Sequence, residues 1–341
     1  MFTPKVRRQI PDSKFAVANR STSRYLQALT MTIIKPNALK RGDVIGIAAP
    51  ASPPQTEEHL ARGIRYLESN GFRVELGKHV YGKTGYLAGS DRERTFDLHD
   101  LFSNKQVKAI FTVRGGYGCT RILPLLNYRL IRQNPKILVG YSDITALQLA
   151  MLTKAGLVSF SGPMVAVEMA GTFTGEAEES FWRCMTSKAK RQSIGIEKNS
   201  RVVVRSGKAE GTLWGGNLSL IASLVGTNYV PRLKNSILLL EEIGERPYRV
   251  NRMLNQLKLA GLFRRAAGVA FGLFTDCEPE RGKPSLTIRQ VFEDTFQEFK
   301  FPAGGHFHYG HVDDSLTIPF GVTVRFDADR GRIVFLENAL Q

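Results

Sequence analysis

Three stretches of this 341-residue chain carry side chains able to do covalent chemistry together. In "ILVGYSDITALQLAM" (137–151), Ser142 stands where buried-strand composition gives way to a helical pattern, so its hydroxyl is either a helix cap or a nucleophile. Local sequence alone favours the cap, a job that Ser142 or Asp143 could do. A nucleophile needs a base, and the chain offers six histidines: His59, His79, His99, His306, His308 and His311. The last three crowd into "GGHFHYGHVDD" (304–314). There they could supply a general base, or form a metal shell with Asp313 or Asp314, or simply decorate a glycine-rich surface loop. No HExxH or similar partner supports the metal reading. In "ILLLEEIGERPY" (237–248), Glu241 and Glu242 close a strongly apolar strand. Alternation turns one of them inward, where a carboxylate needs a partner: a histidine it would orient, or a salt bridge to Arg246 or Arg249.

A fourth stretch, "TVRGGYGC" (112–119), ends another strand with three glycines in four positions, which permits positive φ and close approach of backbone to a ligand. No Lys-Ser/Thr follows and the spacing is not GxGxxG, so neither a P-loop nor a dinucleotide fingerprint is present. By itself this is a tight turn. If Ser142 is a nucleophile, N–H groups of this turn and of Asp143 could form an oxyanion hole.

The elements that must position these residues follow an alternating rhythm from residue 43 onward. "DVIGIAAP", "RVELGKHV", "VKAIFTVRGG", "KILVGYS" and "LVSFSGP" read as strands, with helical patterns such as "TEEHLARGIRYLESNGF" and "SDRERTFDLHDLFSN" between them. Ser90, Asp91 and Glu93 signal the start of a helix over 90–104. This predicts a mostly parallel sheet with helices on both faces, whose sites lie at the carboxyl ends of the strands. After the helical "TGEAEESFWRCMTS", the basic tract "SKAKRQSIGIEKNSRVVVRSGK" (187–208) reads as a connection. The remainder is strand-richer and mixed, ending in a hairpin around "ADRG". The expected organisation is an extension over 1–30, an α/β domain over 31–175 carrying Ser142, a connecting segment over 176–206, and a mixed domain over 207–341 carrying the glutamates and histidines.

Composition excludes several classes. With 43% hydrophobic residues the chain can fill two cores. No apolar run approaches the roughly 20 residues of a membrane span. The net charge of +16 is scattered, and its densest tract lacks interleaved aromatics and any nucleic-acid motif, so no nucleic-acid partner is expected. Cys119, Cys184 and Cys277 are widely spaced, which speaks against a disulfide framework or structural zinc and for a reducing, cytoplasmic setting. Residues 1–30 are basic and rich in Ser, Thr and Arg without a secretory apolar core; a disordered arm, a start codon placed upstream of the true Met31, or a targeting peptide would each account for them.

Seven ordered blocks after Met31 resemble one family, the LD-carboxypeptidases of serine peptidase family S66, which includes muramoyltetrapeptide carboxypeptidases and microcin C immunity peptidases. The blocks are "LKRGDVIGIAAPAS", "RTFDLHDLF", "AIFTVRGGYG", "LVGYSDITAL", "GTLWGGNLSLIASLVGT", "LLLEEIGERPYRVNRMLNQLKLAG" and "YGHVDDSLTIPFGV". The resemblance implies a flavodoxin-like or amidotransferase-like N-terminal α/β domain, a swivelling C-terminal β/α/β domain and a site between them. It also implies a Ser142–His311–Glu241 triad, with an oxyanion hole from Asp143 and the Gly115-Gly116 turn, Gly116 preferred. No cofactor or metal is implied. The implied substrate is a murein tetrapeptide losing its terminal D-Ala; a peptidyl-nucleotide is the microcin-type alternative, for which Trp214 could wall a base. Arg114, Asn217 and Arg246 are candidates for the terminal carboxylate, and a homodimer is the expected assembly.

Overall fold

The structure, a computed structural model, describes residues 32–171, 173–187 and 193–341. The extension expected over 1–30 lies outside the described residues.

Strands β1 (Val44–Ala48), β2 (Arg73–Leu76), β3 (Val107–Thr112), β4 (Ile137–Val139) and β5 (Ser159–Ser161) lie side by side in the order β5-β4-β3-β1-β2, all parallel. Residues of β1 and β4 are buried throughout, which is why these strands read as unbroken apolar runs rather than alternating ones. The helix Asp91–Ser103 starts as predicted: Ser90 Oγ accepts the Glu93 N–H while Glu93 Oε2 accepts the Ser90 N–H, a capping box. The helix Thr145–Ala155 is different, since every residue from Thr145 to Leu152 is buried. It is apolar all round because it runs through the interior, and Gly156 ends it in the left-handed region at φ 68°.

The second sheet has the order β6-β14-β13-β8-β9-β10-β11-β7. Its strands are β6 (Ser193–Gly195), β7 (Val202–Arg205), β8 (Lys208–Asn217), β9 (Ser236–Ile243), β10 (Ala266–Thr275), β11 (Ala303–Gly305), β13 (Thr323–Asp327) and β14 (Arg332–Phe335). The run β8-β9-β10-β11 is parallel, and β13 and β14 form the antiparallel hairpin expected around "ADRG".

Two findings revise the sequence-based organisation. The segment 176–206 is more than a connection: it holds most of the helix Gly175–Thr186, then β6 and β7, which close opposite edges of the second sheet by pairing with β14 and β11. In addition β12 (Ile318–Phe320), far along the chain, pairs antiparallel with β5 and so extends the first sheet. The two domains are thereby stitched together. One apolar cluster runs through Leu147 and Ala150 of the interior helix to Trp214 and Leu218 of the second domain. The Asn217 N–H also donates to Thr145 Oγ1, fixing the end of β8 to the start of that helix.

Candidate active site

Ser142 follows the end of β4 with φ 62°, a left-handed conformation that costs a non-glycine residue of order 1–3 kcal/mol. A tight strand-to-helix turn of this kind presents the serine Oγ outward. Ser142 caps nothing: neither the short helical turn Ser142–Ile144 nor the helix Thr145–Ala155 has a side-chain cap. Among the described residues its hydroxyl makes no hydrogen bond, so the cap reading is corrected in favour of a free hydroxyl. The adjacent Asp143 accepts the Cys119 N–H at 2.8 Å on its carboxylate, tying the Ser142 turn to the glycine turn. Burial raises the pKa of Asp143, partly offset by that hydrogen bond.

The glycine turn lies directly against this serine. A Cβ on Gly115 would sit 3.0 Å from Ser142 Oγ and 3.4 Å from the Asp143 nitrogen. Gly116, at φ 112°, backs onto Ser52, where a Cβ would come within 2.3 Å of Oγ. Ser52 Oγ braces the turn by accepting the Tyr117 N–H and donating to the Tyr86 carbonyl. The N–H groups of Gly115, Gly116 and Asp143 find no acceptor among the described residues. Sequence reasoning named Gly116 and Asp143 but missed Ser52, although it lies in the "AAPAS" end of the first family-like block.

His311 arrives from the loop after β11. Its Nδ1 meets Glu241 Oε2 at 2.8 Å, and its ring packs edge-on against Tyr141, the residue before Ser142, with centroids 5.0 Å apart. With Nδ1–H donated to the carboxylate, Nε2 is the nitrogen left to accept a proton. Burial lowers the His311 pKa, but the Glu241 hydrogen bond and charge, with help from Glu242 and Glu168, outweigh it and raise it above the ordinary value. Among the described residues no hydrogen bond joins Ser142 Oγ to His311. Gly310 is needed for this approach: at φ 129°, a Cβ there would lie 2.9 Å from Glu241 Oε2.

The expectation that only one of the two glutamates points inward is corrected. Both are buried, 1% and 2% exposed, because β9 is a central strand covered on both faces. Glu242 serves structure: it accepts Asn217 Nδ2, the Ser219 N–H and Oγ, and the Ile243 N–H. Burial raises its pKa against those bonds. The salt-bridge alternative fails as well, since Arg249 pairs with Glu245.

Two of the three carboxylate-binding candidates already have partners within the protein. The Asn217 amide is spent on Glu242 and on capping the helix Leu218–Ser223, as a residue at a strand-to-helix turn tends to be. Arg246 is the exposed N-cap residue of the helix Pro247–Leu259 and donates to the Glu278 carbonyl, in a different groove. Arg114 remains, half-buried in the glycine turn, where its charge bears on Tyr141. The three neighbouring histidines diverge: His308 bonds the Asp313 carbonyl, and His306 lines an apolar groove beside Phe271 and Phe292. Among the described residues no three His, Cys, Asp or Glu converge as a metal shell would require. Trp214 is a core residue, 2% exposed, and lines a cavity with Val230, Pro231 and Arg265.

A cleft of about 400 Å³ opens beside Tyr141 and Gly310, lined further by Glu168, Phe173, Tyr309, Asp313 and Asp314, and by no lysine or arginine. Glu168 escaped sequence reasoning because nothing in "VAVEMAG" marks it. Its Oε1 accepts the Tyr141 phenol at 2.7 Å and its Oε2 the Met164 N–H.

Residues 45–162 match the model of the LD-carboxypeptidase N-terminal domain, and residues 210–326 that of the LD-carboxypeptidase C-terminal domain. The chain belongs to the LD-carboxypeptidase family. It is 39% identical over 287 residues, 84% of this chain and 89% of the relative, to a probable murein peptide carboxypeptidase of Bacillus subtilis. Among solved structures, the muramoyltetrapeptide carboxypeptidase of Oxalobacter formigenes superposes with a TM-score of 0.75 at 30% identity, covering 85% of this chain and 97% of that one. The microcin C7 self-immunity protein MccF gives 0.82 at 26% identity, covering 90% and 100%. This LD-carboxypeptidase is therefore a two-domain α/β hydrolase of the serine carboxypeptidase type. Among its described residues no helix is long and apolar enough to cross a membrane.

Proposed function

We propose that this LD-carboxypeptidase releases the terminal D-Ala of a murein tetrapeptide by hydrolysing the L,D-peptide bond, with Ser142, His311 and Glu241 as its triad. The observation that carries the reading is a left-handed, unbonded serine set against backbone N–H groups without acceptors, directly after the tyrosine on which a carboxylate-backed histidine packs. His311 Nε2 takes the hydroxyl proton as Ser142 Oγ attacks the amide carbonyl. The Asp143 N–H and one from the Gly115-Gly116 turn, that of Gly116, stabilise the tetrahedral oxyanion. The imidazolium, held by Glu241, returns the proton to the departing D-Ala nitrogen, and water admitted by His311 then cleaves the ester.

Arg114 is the group proposed for the terminal carboxylate, since the acid-lined cleft would repel it. That cleft suits the acyl side, where a diamino acid carries a free amino group. The proposal extends to a cytoplasmic homodimer, supported for the compartment by the small number and wide spacing of the cysteines and to be checked for assembly by light scattering.

The test is incubation with disaccharide tetrapeptide and mass-spectrometric detection of D-Ala. Ser142→Ala should lose activity by roughly 10⁴-fold or more. Equal release by Ser142→Ala, or turnover of a peptidyl-nucleotide in place of the tetrapeptide, would overturn the assignment.

A further inference from the structure

Tyr141 connects the nucleophile turn to the base. It precedes Ser142 in the chain, and its ring lies edge-on to the imidazole of His311 at 5.0 Å and an interplanar angle of 66°. A single hydrogen bond from Nδ1 to Glu241 fixes where His311 sits but leaves the ring free to turn about that bond, which would swing Nε2 away from Ser142. A second contact must stop the rotation, and the Tyr141 ring is in place to do so. The ring in turn is pinned by its phenol, which donates to Glu168 Oε1 at 2.7 Å. Glu168 is anchored by its other oxygen to the Met164 N–H at 2.8 Å, in the segment following β5. The chain of contacts thus runs from backbone through Glu168 and Tyr141 to the imidazole.

We propose that Tyr141 and Glu168 are positioning residues for His311: Glu168 holds the Tyr141 phenol, and the Tyr141 ring fixes the imidazole plane in which Nε2 faces Ser142. This rests on the reading of His311 as the base. Glu168 has an electrostatic part as well, because three carboxylates bear on the imidazole: Glu241 and Glu242 from β9, and Glu168 from the segment after β5. Tyr141 is neutral, its phenol pushed up by burial and by Glu168, while Arg114 from the glycine turn pulls it the other way. The brace therefore orients the base and keeps it basic at once.

Two substitutions separate these effects. Tyr141→Phe keeps the ring and releases its anchor; kcat should fall about 5- to 20-fold with KM within about twofold, as expected for a misoriented catalytic group. Glu168→Gln keeps an acceptor for the phenol and removes the charge; kcat at its plateau should fall less, while the acidic limb of kcat/KM moves to lower pH. Thermal unfolding of both variants checks that the fold is retained. Wild-type kcat and an unmoved acidic limb in both folded variants would overturn the proposal, as would a rise in KM alone, which would make Glu168 a substrate-binding group of the cleft. Ser142→Ala and His311→Ala run beside them: if these stay active the triad reading itself fails, whereas if they are inactive and Tyr141→Phe matches wild type, only the brace is lost.

Discussion

Two histidine–carboxylate pairs of nearly equal geometry occupy this protein. His311 Nδ1 lies 2.8 Å from Glu241 Oε2, and His79 Nδ1 lies 2.7 Å from Asp97 Oδ1. Both carboxylates are buried, and each is approached by a glycine: Gly310 over Glu241, Gly77 over Asp97. The surroundings differ. His79 leans edge-on against Phe96, and Asp97 also accepts the His79 backbone N–H, so this pair closes the loop after β2 onto the helix Asp91–Ser103. His311 instead leans against the residue that precedes a left-handed serine, across from N–H groups without acceptors. A histidine oriented by a carboxylate is therefore not in itself a catalytic signal. What distinguishes the His311–Glu241 pair is its packing on the residue next to Ser142.

The widest separation between the pairs should come from removing the imidazoles. His311→Ala is expected to lower kcat for D-Ala release by about 10⁴- to 10⁶-fold, as loss of a triad base does. His79→Ala should leave kcat within about twofold and lower unfolding stability by about 1 kcal/mol, discounted because the ring is one-third exposed. Urea denaturation beside the release assay reads both. A comparable loss of kcat in His79→Ala would break the comparison.

Next come the carboxylates. Glu241→Gln keeps the shape of the partner but no longer enforces the tautomer with Nε2 free, and a loss of about 10³- to 10⁴-fold in kcat is expected. Asp97→Asn should cost stability only, about 1–3 kcal/mol for a buried acceptor of two hydrogen bonds. The glycines give a smaller contrast. Gly310→Ala places a methyl 2.9 Å from Glu241 Oε2 on a backbone that alanine adopts with strain, and should lower kcat about 10- to 100-fold. Gly77→Ala crowds Asp97 Oδ2 at 2.6 Å and should show itself in the urea midpoint alone.

What could be read from sequence divides along a similar line. The helix Asp91–Ser103 and the β13–β14 hairpin were legible because their signals are local: a serine and a glutamate three residues apart, and a turn between alternating strands. Ser142 and Glu241 were noticed at strand ends, whereas His311 was singled out from three neighbouring histidines by the family-like pattern alone. The strand β12 was not, because three residues join a sheet whose other strands end more than 150 residues earlier, and only their pairing with Ser159–Ser161 reveals it. Asn217 and Arg246 had suitable chemistry for a carboxylate, but a buried glutamate and a helix start had already claimed them. Glu168 was invisible for the reverse reason: its side-chain partner is a tyrosine 27 residues away, and nothing in the local sequence marks it.

The smallest expected effect is one of pH, and it isolates the charge that Glu241 brings. Burial alone would lower the His311 pKa, yet the carboxylates raise it above the ordinary histidine value of about 6.5. A base must be neutral to act, so kcat/KM should climb through an acidic limb centred above that value. The stability linkage has the opposite sense. Because the folded pKa is raised, the protonated His311–Glu241 pair contributes stability that is fully present below the unfolded value and is lost as pH rises through the folded one. Activity therefore rises over the same window in which this contribution to stability disappears. In Glu241→Gln the charge is gone while the burial stays, so the limb of the residual activity should move to lower pH than in the wild type. Profiles of kcat/KM and of urea midpoint from about pH 5 to 9 check both signs. A wild-type limb centred below the ordinary value would mean that desolvation, not Glu241, governs the base.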